Sequence, residues 1–453
     1  MNLLMSVIFE LFLILVIILS PLKITFAQSV DTVWTRNYWK GYFDSVNCIQ
    51  ETHDSGFVMV GCAQIEGETQ FDINLIKTDR DGSLEWSKLI GDSHHETGFH
   101  VIQTFDGGYL ISAYSDAFSS PRDNRVWIVK TDSVGDTTWT YPFIQLDGNG
   151  YPLYAVQTLD SGYAITGVIN ISYSNQAFIL RLTKDGDYIW AYHYGEFGYQ
   201  DGKFITEMPD GGFIVAGHND QPYTSNYDYR VFRTDQWGTK LWDSTYVLTD
   251  HYDELNGVCK VDDGIVMTGQ ARAAGHVLKV DFEGNTIWSK SISRYVANEK
   301  NYSIVPTPDG GLMVGGWIWV SSHRRDFNFI KLDSEGDSLW VYTVGGVDDD
   351  HGRSVVATAD GGFAMVGTST SFVNGSSFYL AKIIEYLCGN VNGDGRVNVS
   401  DAVYLINHIF RGGLAPEPIQ ASNVNCDESV SVFDAVWLIN HIFRAGDGPC
   451  ECE

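Results

Sequence analysis

The sequence predicts a mainly β chain: a seven-bladed β-propeller closed by its N-terminal strand, followed by a small α-helical, calcium-binding domain. Three observations predict it. The motif Asp-(Gly/Ser/Asp)-Gly, followed by an apolar run, begins at Asp54, Asp106, Asp160, Asp210, Asp262, Asp309 and Asp360. A second motif, Lys/Arg-x-Asp-x-x-Gly-x-x-x-Trp, with Thr183 in place of the Asp in one copy, sets Trp86, Trp139, Trp190, Trp242, Trp288 and Trp340 at gaps of 53, 51, 52, 46 and 52 residues. Finally, NVNGDGRVNVSDAVYLINHIF from Asn390 returns as NVNCDESVSVFDAVWLINHIF from Asn423, offset by 33 residues. Repeats at fixed periods mark stacked or circular architectures.

The first 27 residues read as a secretory signal peptide: an apolar run from Leu11 to Leu19, a break at Pro21, and cleavage after Ala27. The leading region carries no Lys or Arg, and Glu10 interrupts the apolar run, so an uncleaved anchor is the alternative. Either way the rest of the chain is expected outside the cytosol, secreted or at the cell envelope, with no membrane span after cleavage. The formal charge of −28 excludes nucleic acid as a partner, because phosphate binding needs a basic surface. The 44% hydrophobic content suffices for a packed core. Seven cysteines then sit in a disulfide-permissive compartment, Cys388, Cys426, Cys450 and Cys452 crowded at the end. Their pairing is open, and the odd total leaves at least one thiol free or paired between chains.

Residues 28–386 are read as the propeller. Each unit resolves into four short strands, A to D, as in HVIQT, YLISA, VWIVKTD and TTWTYPF of the second unit. The glycines of the A–B turn supply positive φ. Four strands in about 50 residues is one propeller blade. There are seven Asp-x-Gly turns but six downstream Trp strands, and the missing strand lies at the other end, with Trp34 placed 52 residues before Trp86. A ring explains complementary deficits, since the first strand completes the last blade and removes both sheet edges.

The Asp-x-x-Gly-x-x-x-Trp segments resemble the tryptophan-docking motif of quinoprotein-like propeller repeats, from Trp34 to Ile384. The resemblance implies structural roles: each Trp packs between blades, and each repeated Asp satisfies turn amides. It does not extend to quinone chemistry, because there are seven units rather than the usual eight and no adjacent cysteine pair.

The strand order puts the A–B and C–D turns on one face and the variable B–C and D–A loops on the other. The variable face is the expected binding face. Its candidate ligand-binding aromatics are Tyr223, Tyr227, Tyr229, Trp317 and Trp319, which suit stacking on a glycan or a protein partner. An acidic residue precedes strand A in six units, at Asp44, Glu96, Asp201, Asp253, Glu299 and Asp350. These are expected to hold the start of the inner strand; the sharper alternative is a carboxylate ring for a cation. No zinc spacing, HExxH, nucleophile elbow or phosphate loop is present, so no catalytic residue is assigned.

Residues 387–453 are read as the helical domain. A twelve-residue calcium loop uses oxygens at positions 1, 3, 5, 7, 9 and 12. In the first copy these fall on Asn390, Asn392, Asp394, the Arg396 carbonyl, Asn398 and Asp401, with Gly395 at the turn. In the second they fall on Asn423, Asn425, Asp427, the Ser429 carbonyl, Ser431 and Asp434. A helix follows each loop, with an apolar face of Ala402, Leu405, Ile406 and Ile409, and of Ala435, Leu438, Ile439 and Ile442. Loop plus one helix, duplicated, resembles the type I dockerin over Cys388 to Cys452. The resemblance implies one or two bound Ca²⁺ ions and a cohesin-like or cell-surface protein partner. It places partner contacts at Val399, Ser400, Val432 and Phe433, joined by Arg411 and Arg444. Two departures stand out. Both loops begin with Asn where Asp is usual, which predicts weaker calcium binding, and Glu428 replaces the turn glycine of the second loop.

The expected function is therefore a secreted, non-catalytic binding protein, tethered by its calcium-dependent end and presenting the propeller to an extracellular ligand. The alternative is a polysaccharide-degrading enzyme of glycoside-hydrolase type, its active site on the variable-loop face.

Overall fold

The computed structural model describes residues 28–444, apart from 66, 68, 93, 118–124, 144–147, 196–197, 221–226, 273, 293–298, 322–323, 374, 394–396, 417, 426 and 428. Residues 1–27, expected to be the signal peptide, lie outside this set. Two compact units are present: residues 32–383, and residues from 384 onward with those before 32. Among the described residues no helix is long and apolar enough to cross a membrane.

Seven four-stranded antiparallel sheets make up the first unit. The first blade has strands A (Phe43–Glu51), B (Phe57–Gln64), C (Asp72–Thr78) and D (Leu84–Ile90), hydrogen-bonded in that order. Strands B and C are buried almost throughout, and strand B accordingly reads as a continuous apolar run rather than an alternation. Strand D is half-exposed. The last blade runs Asp350–Ala357, Gly362–Ser369 and Ser377–Leu387, and its fourth strand is the N-terminal Gln28–Tyr38. One apolar core joins Ala364, Val366, Phe378 and Leu380 of that blade to Val46, Ile49, Phe57 and Met59 of the first.

The repeated motifs account for the blade joints. Strand-D tryptophans lie on the glycine of the next blade's C–D turn. A Cβ on Gly135 would come within 2.7 Å of Trp86, and one on Gly186 within 2.9 Å of Trp139. Both glycines also hold positive φ, 84° and 88°, so any side chain is doubly excluded. The repeated Asp of the A–B turn takes the Gly56 N–H at 3.0 Å and the Thr52 hydroxyl at 2.5 Å in the first blade. It also pairs with the strand-C cation, Lys77 to Asp54 at 2.9 Å. The repeated Asp makes this pair in six blades, ending with Lys382 and Asp360 at 2.7 Å, and in the fifth its neighbour Asp263 takes Lys279 at 2.8 Å.

In the second unit, helix α1 spans Val399–Arg411 and α2 spans Val432–Arg444. Asn398 caps α1 and Asp401 reaches back to the cap backbone, a reciprocal capping box. Gly412 ends it in the left-handed region at φ 65°. The helices share a core of Ala402, Leu405, Ala435 and Leu438, sealed by Val391 and Val424 from the loops. Ile439 departs from its expected place: it is 36% exposed, because two helices alone cover only a narrow apolar stripe. Cys388 is disulfide-bonded, its partner outside the described residues, whereas Cys48, Cys62 and Cys259 are free and buried.

Candidate functional site

Each loop of the second unit closes around its last residue. Asp401 is fully buried. Its Oδ1 accepts the Asn392 N–H at 3.0 Å and its Oδ2 the Asn398 N–H at 2.8 Å. Asp434 repeats this, taking the Asn425 N–H at 3.3 Å and the Ser431 N–H at 2.8 Å. A carboxylate at position 12 thus ties positions 3 and 9 to the helix start in both copies. Asp394, Gly395 and Arg396 lie outside the described residues.

The two loops differ at position 1. Asn390 Oδ1 is buried and finds no donor among the described residues. Asn423 Oδ1 accepts the Asp427 N–H at 3.3 Å, and Asp427 in turn takes the Ser429 N–H at 3.1 Å and hydroxyl at 2.8 Å. These hydrogen bonds with Ser429 and Asn425 hold Asp427 below the usual carboxylate range. An all-oxygen donor set with a buried carboxylate and an orphaned amide oxygen fits a hard divalent cation.

The expected partner residues are at the surface. Val399 is 48% exposed, Val432 39% and Phe433 67%, and Ser400, Arg411 and Arg444 are also exposed. Sequence reasoning missed two further pairs, Val403 with Val436 and Phe410 with Phe443. All four are exposed and each pair is separated by the 33-residue repeat, a regularity that could have revealed them. Each helix therefore carries the same apolar stripe on its outer side.

On the propeller the expected aromatics split. Tyr227 packs against Tyr199 and Tyr252 from neighbouring loops, ring centres 5.1 and 4.7 Å away. Trp317 and Trp319 meet edge to face, with the Arg325 guanidinium 5.3 and 4.6 Å from their rings. Asp349 holds that guanidinium at 2.6 Å. Tyr223 lies outside the described residues. Tyr229 is a correction: it is fully buried in the core rather than in an exposed loop. It belongs to strand C, where an inward position is decided by strand register, not by the aromatic run around it.

The six acids before strand A are all buried. Asp44 accepts the Lys40 N–H at 2.7 Å, Asp253 the Thr249 N–H at 2.9 Å and Asp350 the Gly346 N–H at 2.5 Å. These three tie the incoming loop to its inner strand, the structural role expected of them, whereas Asp201 accepts the His218 N–H at 2.7 Å from strand B. Burial raises the carboxyls of Asp44 and Asp350 above the usual range. Asp92, His94 and Glu96 gather their ligating atoms within 4.8 Å in one loop, with His94 Nδ1 2.5 Å from Asp92.

A cavity of about 780 Å³ opens on the short-turn face and includes Asp262, Asp263, Phe282 and Trp288. The fifth blade has a two-residue A–B turn, Val261 pairing directly with Gly264, where the others carry a longer one. The shorter turn leaves the notch.

No curated protein matches the sequence. Among solved structures, the chain is similar to a protein of unknown function from Dyadobacter fermentans DSM 18053, at 10% identity and TM-score 0.49, over 79% of this chain and 100% of that one. It is also similar to the WD40 domain of Neurospora crassa Pan2, at 10% identity and TM-score 0.46, over 78% and 95%. Behind its seven-bladed propeller, the chain carries a C-terminal segment, residues 389–443, that matches the family model of the Dockerin type I domain.

Proposed function

We propose that the protein is a secreted, non-catalytic binding protein whose C-terminal module docks it to a cohesin-like partner when calcium is bound. The observation that carries this reading is the duplicated loop-helix unit: two oxygen-donor loops lead two helices that expose one matched apolar stripe. Asn390, Asn392, Asp394, the Arg396 carbonyl, Asn398 and Asp401 would hold one ion; the corresponding second-loop residues would hold another. Calcium supplies fixed positive charge at the helix starts, which orders the loops and with them the helix pair.

Partner contact falls to Val399, Ser400, Phe410 and Arg411 on the first repeat, and to Val432, Phe433, Phe443 and Arg444 on the second. Exposed apolar side chains flanked by Arg have the composition of protein interfaces. The propeller then presents its variable face, where Tyr227, Tyr223, Trp317 and Trp319 are the residues proposed to contact an extracellular ligand, a glycan in the first instance. The test is capture of the full chain by cohesin modules in calcium and in EDTA. Retention in calcium and release in EDTA is the expected result; equal retention in both defeats the reading.

A further inference from the structure

The propeller axis holds a cavity of about 300 Å³ lined by all seven inner strands. Its lining follows from a repeated irregularity. In six blades the inner strand slips register by one residue against strand B, passing over Asn47, Phe99, Leu153, Asn256, Tyr302 and Arg353. In the fourth blade the strand begins at Phe204, and Lys203 stands at the matching place. A bulge turns its extra residue off the ladder, and all seven of these residues line the cavity. The lining is therefore divided around the axis. The second and third blades contribute Phe99 and Leu153, and the fourth to seventh contribute Lys203, Asn256, Tyr302 and Arg353.

The charge of this lining opposes that of the chain. The whole protein carries −28, yet no Asp or Glu lines the cavity, which holds two cations. Many cations of the propeller are tied to acids, as Lys300 is to Glu254 at 3.0 Å. Lys203 and Arg353 form no ion pair among the described residues. Lys203 Nζ reaches only Asn256 Oδ1, at 3.5 Å. The Arg353 guanidinium stacks on Tyr302 at 4.7 Å, and its Nε is buried without an acceptor, as is Asn256 Nδ2. Burial pushes the Lys203 ammonium below its usual range, against the opposing pull of Asp201 and Glu254. Buried donors without acceptors, and cations held away from water without a contact ion pair, are costly unless a ligand completes them.

We propose that the axial cavity binds a small organic carboxylate, its oxygens taking donors from Lys203, Asn256 and Arg353 and its apolar body lying against Phe99 and Leu153. A few convergent polar groups opposite an apolar wall are the usual make-up of a small-molecule site, and about 300 Å³ suits a ligand of single-ring size. Neither the docking module nor the variable loops take part, so the site is independent of calcium.

Titration calorimetry on the full chain, at fixed ionic strength and in both calcium and EDTA, tests it. Benzoate is expected to bind saturably in both, and benzamide and inorganic phosphate not to. Arg353→Gln and Lys203→Gln should each weaken benzoate by about tenfold or more, while Lys184→Gln, on an exposed turn, leaves it unchanged. Should Arg353→Gln lose its fold along with its stack on Tyr302, Lys203→Gln alone decides. Absence of saturable benzoate binding overturns the proposal. So does benzamide binding as tightly, phosphate binding more tightly, or indifference to the Lys203 change.

Discussion

In six blades the A–B turn aspartate ties the turn to the strand-C cation. Burial acts to raise Asp54, but hydrogen bonds from Thr52, Lys77 and the Gly56 N–H, with the Lys77 charge, prevail and lower it from 3.8 to about 2. Asp106, Asp160, Asp210, Asp309 and Asp360 are lowered as well. A carboxyl depressed in the folded state adds stability above its unfolded value and loses it as pH falls through the folded one. The propeller is therefore expected to lose stability steeply between pH 4 and 2. Asp309→Asn, which leaves the buried Lys331 without a counter-charge, should cost about 1–3 kcal/mol at neutral pH and progressively less toward pH 2. Melting against pH reads both. Asp228 behaves in the opposite sense. Burial first, then the charges of Asp253 and Asp220, raise its carboxyl to about 6. A group raised in this way favours its protonated form, and its contribution is fully present below 3.8 and lost as pH rises from there to about 6. Asp228→Asn should therefore stabilise the protein by about 1–2 kcal/mol at pH 8, by roughly half as much near pH 5, and change little near pH 3. A fall in melting temperature at pH 8 would contradict the burial argument.

At the scale of elements, the two loop-helix units predict unequal responses to one substitution. Asp401 and Asp434 are both fully buried and both fasten a loop to a helix. Among the described residues, position 1 keeps an unpartnered buried oxygen in the first repeat, whereas Asn423 is engaged by Asp427. Asp401→Asn should thus abolish most of the calcium-induced rise in melting temperature, and Asp434→Asn only a smaller part. Capture by a cohesin module has a separate determinant. Phe410 and Phe443 are 64% and 67% exposed, so Phe410→Glu with Phe443→Glu should weaken capture without lowering the melting temperature. Much of this level was legible in the sequence. Asp-x-Gly turns, apolar runs and the 33-residue duplication all act over short distances, so strands, helices and loop ligands could be located from local pattern. What could not be read depends on register. Tyr229 is buried because of where strand C pairs, and Arg353 reaches the axis because its strand slips by one residue against strand B. No local composition encodes such a slip.

At the scale of the whole propeller, closure rests on a joint made by residues far apart in sequence. Trp34, in the fourth strand of the last blade, lies on Gly82 of the first, where a Cβ would come within 2.8 Å of the indole. Phe57 meets the indole edge to face at 6.0 Å, Arg36 stacks on it at 5.3 Å, and the Tyr38 hydroxyl donates to the Gly82 carbonyl at 2.5 Å. The Trp190 joint is built alike, with Phe213 and Gly238 of the next blade, but its strand is continuous in sequence with the blade it completes. Removing either indole takes away a similar apolar area, about 2–4 kcal/mol for a half-buried Trp. The consequences differ because only the Trp34 strand can leave without dragging a covalent neighbour out of its own sheet. Trp34→Ala should therefore speed amide exchange in Gln28–Tyr38, in Ser377–Leu387 and in the first blade together. Trp190→Ala should confine the effect to the third and fourth blades. Hydrogen exchange on the two variants separates a ring held shut at its termini from a row of equivalent joints. Matching, purely local effects would show that closure adds no weakness of its own.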